Sequence, residues 1–343
     1  MPVDLVHHHR LAGPSHVSIE RLFAEVRRHL PDPWNARVAT CPHLSCGFAP
    51  RVANMMAARA QAGTINHITG DVHYLAMALP SRGLVLTIHD CALLNLLKGP
   101  SREVFRRIWF TYPMRRAEAI TTISEAMKKE LGSHFPDVVD KIRVVPNCVR
   151  GEFTPSPKPF PEREPVILQV GTGWNKNLEG VAAALRGIPC RLEIIGKMSE
   201  RQHEVLRLNA INYRSLGILL DHEVLDAYKR SDVMVFSSRY EGFGLPIIEA
   251  QALGRPVITS NFGAMAEAAG PGALLVDPLN QADLHQSVLK LLRDPDLRSK
   301  LIEEGFRNVA QYQPKAVASR YADLYAELQP VHSDAQVGQR HGR

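Results

Sequence analysis

Two glutamates, Glu241 and Glu249, bracket the segment Glu-Gly-Phe-Gly-Leu-Pro-Ile-Ile-Glu. A carboxylate accepts hydrogen bonds at two oxygens and can hold a pair of neighbouring hydroxyls. Between the acids, Gly242 and Gly244 remove side chains where an apolar run, Val233–Phe236, gives way to a helical pattern near Pro246. Proline suits the first helical position because the N–H it lacks would be an unused donor. The free N–H groups of a helix start, reached past glycines, form a seat for a bulky anion. Glu249 is expected in the first helical turn, leaning back toward that seat. Phosphate would repel both acids, so each is expected to grip neutral hydroxyls at opposite ends of a sugar nucleotide. The competing reading is a surface loop with two solvated glutamates. The register of strand, glycines, proline and helix weighs against it.

Other candidate groups divide quickly. His89 ends the apolar run of Thr87-Ile-His-Asp90, at the carboxyl end of an expected strand, where open parallel sheets bind ligands. Gly171-Thr-Gly173 invites a dinucleotide reading, but Lys176 occupies the place of the third glycine, which argues against an oxidoreductase. Asp294-Pro-Asp296 follows a helical pattern and reads as a turn between helices rather than a metal site. Cys41-Pro-His-Leu-Ser-Cys46 has no second ligand pair at zinc spacing. The five cysteines (Cys41, Cys46, Cys91, Cys148 and Cys190) read as reduced thiols of a cytosolic protein. No metal and no cofactor are implied.

The elements that must position these groups are α/β. Short apolar runs alternate with helical patterns, the signature of parallel sheets. Strands are expected at 3–7, 65–69, 84–88, 119–122 and 142–145, then at 166–170, 192–195, 233–236, 257–259 and 274–276. Ser124 reads as the N-cap of a helix over 124–131. Residues 1–150 form one Rossmann-like unit. The stretch 151–165 holds five prolines and reads as a semi-rigid linker. Residues 166–312 form a second unit. A helix over 314–328 is expected to rejoin the first unit, and 330–343 reads as a disordered polar tail. At 343 residues two domains are the natural division. Two such domains facing each other place both ligand edges in one cleft.

The Glu241–Glu249 block resembles the Glu-x7-Glu signature of the family-4 retaining glycosyltransferases, which adopt the two-Rossmann-domain GT-B fold. Leu220–Val233 looks like the helix and strand entry before that signature, and Gly270–Pro278 like the strand and turn after it. Val170–Leu178 resembles the first loop of the donor domain, and Thr122–Glu125 and Val144–Val149 the segments leading into the domain crossover. Together these cover most of residues 65–310. The resemblance implies a nucleotide-sugar donor. Glu241 would contact its sugar hydroxyls, Glu249 its ribose, and the amides of Gly242, Phe243, Gly244 and Leu245 its sugar and phosphate. Gly171 would line the donor site, and Lys176 of the same loop would neutralise the diphosphate leaving group. Physics recommends the same, because a fixed cation and a helix N-terminus stabilise that charge without a metal. His89 resembles the acceptor-side histidine near the donor sugar, and Gly13 the loop over the diphosphate. Relatives often carry an arginine near the lysine and more glycines in the N-terminal loop. This chain has Thr172, Asn175 and one glycine there, so a second cation must come from elsewhere or be absent.

Net charge is +6 and the isoelectric point about 9.1, which favours anionic ligands or surfaces. Nucleic acid is not an expected partner, because no helix-turn-helix, zinc-finger or RNP pattern accompanies the charge. No apolar run is long enough to span a membrane, and no secretory signal opens the sequence. Arg102, Arg106, Arg107, Arg115 and Arg116, interleaved with Trp109, Phe110 and Tyr112, read first as a solvated helix face with core aromatics. The sharper alternative is peripheral docking of a cytoplasmic enzyme on an anionic inner membrane surface, where a lipid-linked acceptor resides. The expected activity is transfer of a sugar to a glycan, lipid-linked or other hydroxyl acceptor. A phosphorylase, a nucleotide-sugar epimerase and a non-catalytic sugar-nucleotide or glycan binder are the alternatives.

Overall fold

Among the described residues, twelve strands build two six-stranded sheets, and every strand pair in both is parallel. The computed structural model describes residues 4–11 and 18–329, so Gly13 and the tail 330–343 lie outside the described residues. The first sheet runs in the order β2-β1-β3-β4-β5-β6, with β1 Leu5–His9, β2 Ala36–Thr40, β3 Ile65–Ile68, β4 Leu84–Ile88, β5 Ala119–Thr122 and β6 Ile142–Val144. The second runs β12-β11-β10-β7-β8-β9, with β7 Val166–Val170, β8 Arg191–Ile195, β9 Tyr213–Gly217, β10 Val233–Phe236, β11 Val257–Ser260 and β12 Ala273–Val276. Chain order reverses at β7/β10 in the second sheet, which opens a crevice beyond the carboxyl ends of those two strands. The loops that carry Lys176 and Glu241 leave from these ends.

Central strands are buried on both faces and therefore read as continuous apolar runs. Strand β1 departs from that composition. Its three histidines are buried, and each finds a partner from far along the chain. His7 Nε2 lies 3.0 Å from the Tyr325 hydroxyl, His8 Nε2 donates to Asn66 Oδ1 at 3.0 Å, and His9 Nε2 accepts from Arg27 at 2.9 Å. Tyr325 belongs to the helix Pro314–Glu327, which packs on the helix Ser18–His29 and closes the core of the first sheet.

The basic helical stretch contains Pro113, which cannot donate to the carbonyl of Trp109 four residues earlier. The helix widens to a π turn over Arg106–Thr111, and His73 Nδ1 donates to the freed carbonyl at 2.7 Å. Asp294, in the turn between two helices, accepts from the Leu297 N–H and caps the second. The proline-rich segment packs on the second unit, with the Ser156 N–H donating to Leu253 and Phe160 under the Arg298 guanidinium.

Candidate functional site

A cleft of about 490 Å3 opens between the two sheets, lined from one side by Glu241–Pro246 and Glu249 and from the other by His89, Asp90 and Ile123. The turn that forms its second-domain wall is set by backbone conformation. Gly244 caps the helix Leu245–Ala252 at φ 112°, in the left-handed region that glycine enters at little cost. Pro246 is thus the second helical residue, not the first. Glu249 is the fifth and opens the second turn, one residue deeper than the sequence suggests.

Gly242 packs tightly against the first domain. A Cβ on it would lie 2.6 Å from the backbone oxygen of His89, so only glycine lets the two walls meet here. The Ser124 hydroxyl donates to the Gly242 carbonyl at 2.8 Å and also caps the helix Glu125–His134 by accepting from the Met127 N–H. Glu267 of the second unit accepts from the N–H groups of Glu125 and Ala126. The Gly242 turn and the first domain are therefore joined through one helix N-terminus, where a carboxylate is favoured.

Glu241 accepts from Lys176 Nζ at 2.5 Å and from Asn175 Nδ2 at 3.1 Å. The Lys176 ammonium also sits 4.6 Å from the Phe236 ring centroid, a cation–π contact that fixes it further. Gly171 makes room for this lysine: its φ is 89°, and a Cβ there would lie 2.8 Å from Lys176 Cε. Lys176 and Gly171 are one side chain removed from the cleft wall and act on it through Glu241. Asn175 holds the loop in place, donating to the Tyr240 carbonyl at 2.8 Å as well.

Glu249 is buried, and both its oxygens are engaged. Oε1 accepts from Arg150 Nε at 3.0 Å and Oε2 from the Tyr228 hydroxyl at 2.7 Å. Burial raises the Glu249 pKa above the usual carboxylate value, and the Arg150 charge and the Tyr228 hydrogen bond oppose that rise. Burial and the adjacent Glu249 charge push the Tyr228 phenol well up, so it stays a donor. Half of the lone-pair sites of the Glu249 carboxylate remain for other donors. His89 is half-buried, and its Nε2 donates to the Thr69 carbonyl at 2.9 Å. Burial lowers its pKa, so the ring is neutral near pH 7 with Nδ1 as an acceptor.

The structure thus brings Glu241, Gly242, Phe243, Gly244, Leu245, Glu249 and His89 to one cleft. Sequence reasoning missed Arg150 and Tyr228, and it noted Asn175 and Ser124 without their contacts to Glu241 and Gly242. The quoted crossover segment Val144–Val149 stopped one residue short of Arg150, and the spacing of Tyr228 carries no sign of its partner. Among the described residues, no cluster of three or more histidine, cysteine or acidic side chains could hold a metal, and no helix is long and apolar enough to cross a membrane. The five arginines of the basic stretch all have partners within the chain: Arg106 and Arg107 pair with Glu103, Arg115 pairs with Asp137, and Arg102 and Arg116 donate to carbonyls.

Two family models divide the chain between them. The model for Glycosyltransferase Family 4 matches residues 20–152, and that for Glycosyl transferases group 1 matches 152–308. The chain belongs to glycosyltransferase family 4. Its two facing Rossmann-like sheets are the GT-B fold of that family. Among curated proteins, this glycosyltransferase is 35% identical over 119 residues to D-inositol 3-phosphate glycosyltransferase of Thermobispora bispora, covering 34% of this chain and 28% of that protein. It is 26% identical over 272 residues to O-antigen chain mannosyltransferase B of Escherichia coli, covering 71% and 70%. Among solved structures, the Anabaena protein HepE in complex with UDP and glucose superposes with a TM-score of 0.75 at 14% identity, covering 94% of this chain and all of that one.

Proposed function

We propose that this glycosyltransferase moves a sugar from a nucleoside diphosphate sugar to a hydroxyl of a glycan or lipid-linked acceptor, with retention at the anomeric carbon and without a metal. The observation that carries the reading is the shared cleft: His89 of the first domain and the Glu241–Pro246 turn of the second line one cavity, and Gly242 lies against the His89 backbone. The UDP and glucose in the Anabaena complex support a nucleotide-sugar donor for this chain also. In this reading the diphosphate rests at the start of the helix Leu245–Ala252. The N–H groups there stabilise the charge left on it as the glycosidic bond breaks, and the Lys176 ammonium, which reaches the cleft wall through Glu241, adds to the positive field at that seat. Glu241 accepts from donor sugar hydroxyls and Glu249 from the ribose. The neutral His89 accepts a further sugar hydroxyl at Nδ1, a hydrogen-bonding role and not a nucleophilic one. The engagement of all five arginines of the basic stretch within the chain favours a glycan acceptor over recruitment to an anionic surface by that stretch.

Thermal-shift measurements against UDP-, GDP-, ADP- and TDP-sugars test the donor class. One base is expected to stabilise the protein well above the others, by mass action on the folded state. Stabilisation by none of the four would refute the reading. Isomerisation of the free nucleotide sugar without any acceptor would replace it with an epimerase.

A further inference from the structure

Arg150 sits in the crossover between the two sheets, yet its side chain forms part of the donor wall. It is only 18% exposed, against 6% for the Glu249 side chain it contacts. Its guanidinium lies 4.5 Å from the centroid of the Phe153 ring. Phe153 meets the ring of Tyr228 edge-on at 5.2 Å, and Tyr228 returns to the other Glu249 oxygen. The carboxylate is therefore gripped from both sides by groups that are packed against one another. The second face of Arg150 is also fixed, with Nη1 3.4 Å from Glu152 and 3.5 Å from Asp221. Asp221 in turn pairs with Arg21 of the helix Ser18–His29 in the first domain.

An unpaired carboxylate in a site this buried would take up a proton rather than remain charged. A protonated acid donates at one oxygen and loses part of its capacity to accept hydroxyls. We infer that Arg150 is a positioning residue of the donor site, acting on the nucleotide sugar through Glu249, whose carboxylate it keeps anionic and fixed in rotation. The inference rests on the donor reading given above and adds to it a residue that touches no reacting atom. Burial and three neighbouring groups govern the Glu249 charge. Burial raises its pKa, Arg150 and the Tyr228 hydroxyl oppose the rise, and the Glu152 charge adds to it. Without Arg150, only the Tyr228 hydrogen bond opposes protonation.

The test is calorimetric binding of UDP-glucose, GDP-mannose, ADP-glucose and TDP-glucose to the full chain and to Arg150→Gln, Arg150→Lys and Glu249→Gln, between about pH 6 and 8.5. For the probe that binds the wild type, Arg150→Gln is expected to lose affinity toward low pH. The loss approaches about tenfold per pH unit below the new Glu249 pKa and is largely regained toward pH 8.5. Arg150→Lys, which keeps the charge and is the milder change should the glutamine variant not fold, is expected to follow the wild-type pH dependence. A loss in Arg150→Gln that is equal at every pH, or no loss, overturns the inference, as does a wild-type mismatch in the Arg150→Lys profile. Wild-type affinity in Glu249→Gln, or binding of none of the four probes, overturns the donor reading itself. A weakened Glu249→Gln beside a wild-type Arg150→Gln removes only the inference.

Discussion

Acidification should unfold this protein through the histidines of its first sheet. His7 and His67 are buried, and burial is the main reason their pKa values lie well below the ordinary 6.5. Burial likewise brings His8 and His9 down to about 4. All four are neutral in the folded state at about pH 5.5, whereas in the unfolded chain they bind protons as pH falls through 6.5. The unfolded state then holds more protons, so stability is complete above about pH 7 and declines below 6.5. At about pH 5.5 each fully buried neutral histidine forfeits ~1.4 kcal/mol, and four together forfeit ~5.6 kcal/mol. That is comparable with the whole stability of many domains. Glu249 works in the opposite sense, because an acid whose pKa is raised by folding gains stability as pH falls, but it is a single group. Urea unfolding followed by circular dichroism at about pH 7.5 and 5.5 measures the difference. His67→Gln, which can still donate to and accept from Tyr325 and Thr87, should flatten the pH slope by about one proton whatever its absolute stability. Equal unfolding midpoints at the two pH values, or a slope in His67→Gln as steep as in the wild type, would refute the reasoning.

Two further perturbations address the cleft. Gly242→Ala places a methyl group 2.6 Å from the His89 carbonyl oxygen, so the two walls must part and the Ser124 hydrogen bond to the Gly242 carbonyl is lost. A destabilisation of about 1–3 kcal/mol together with a raised KM for the donor is expected from denaturant titration and steady-state kinetics; wild-type values for both would contradict the packing described. Gly171→Ala combines a φ of 89° with a Cβ 2.8 Å from Lys176 Cε, so it should displace the lysine. Its turnover should fall in the same direction as that of Lys176→Ala, with wild-type kinetics in either variant removing Lys176 from the site.

Particular elements show how far the sequence could be read. Ser124 was legible as an N-cap because capping depends on a residue and its neighbours within one turn. Strands β2 and β9 were not, because they are the outermost strands of their sheets and their side chains are largely exposed or half-buried, so no apolar run marks them. The first strand was expected over 3–7, whereas it spans Leu5–His9 and takes in all three histidines. Their burial is possible only because Tyr325, Asn66 and Arg27 arrive from elsewhere in the chain. Glu249 was placed one residue too shallow because the helix begins at Leu245, directly after the left-handed Gly244.

By itself, the order of residues settled what is local: two α/β units, a glycine turn between a strand and a helix, and acids on either side of that turn. These follow from backbone freedom at glycine, the missing N–H of proline and the period of the apolar positions, none of which needs a distant partner. Only the tertiary structure decided that Arg150 and Tyr228 hold Glu249, that Lys176 pairs with Glu241, and that the His89 backbone meets Gly242. Charge state and reach depend on how far a group is removed from water and on what stands opposite it. Those are properties of residues that are neighbours in space and strangers in sequence.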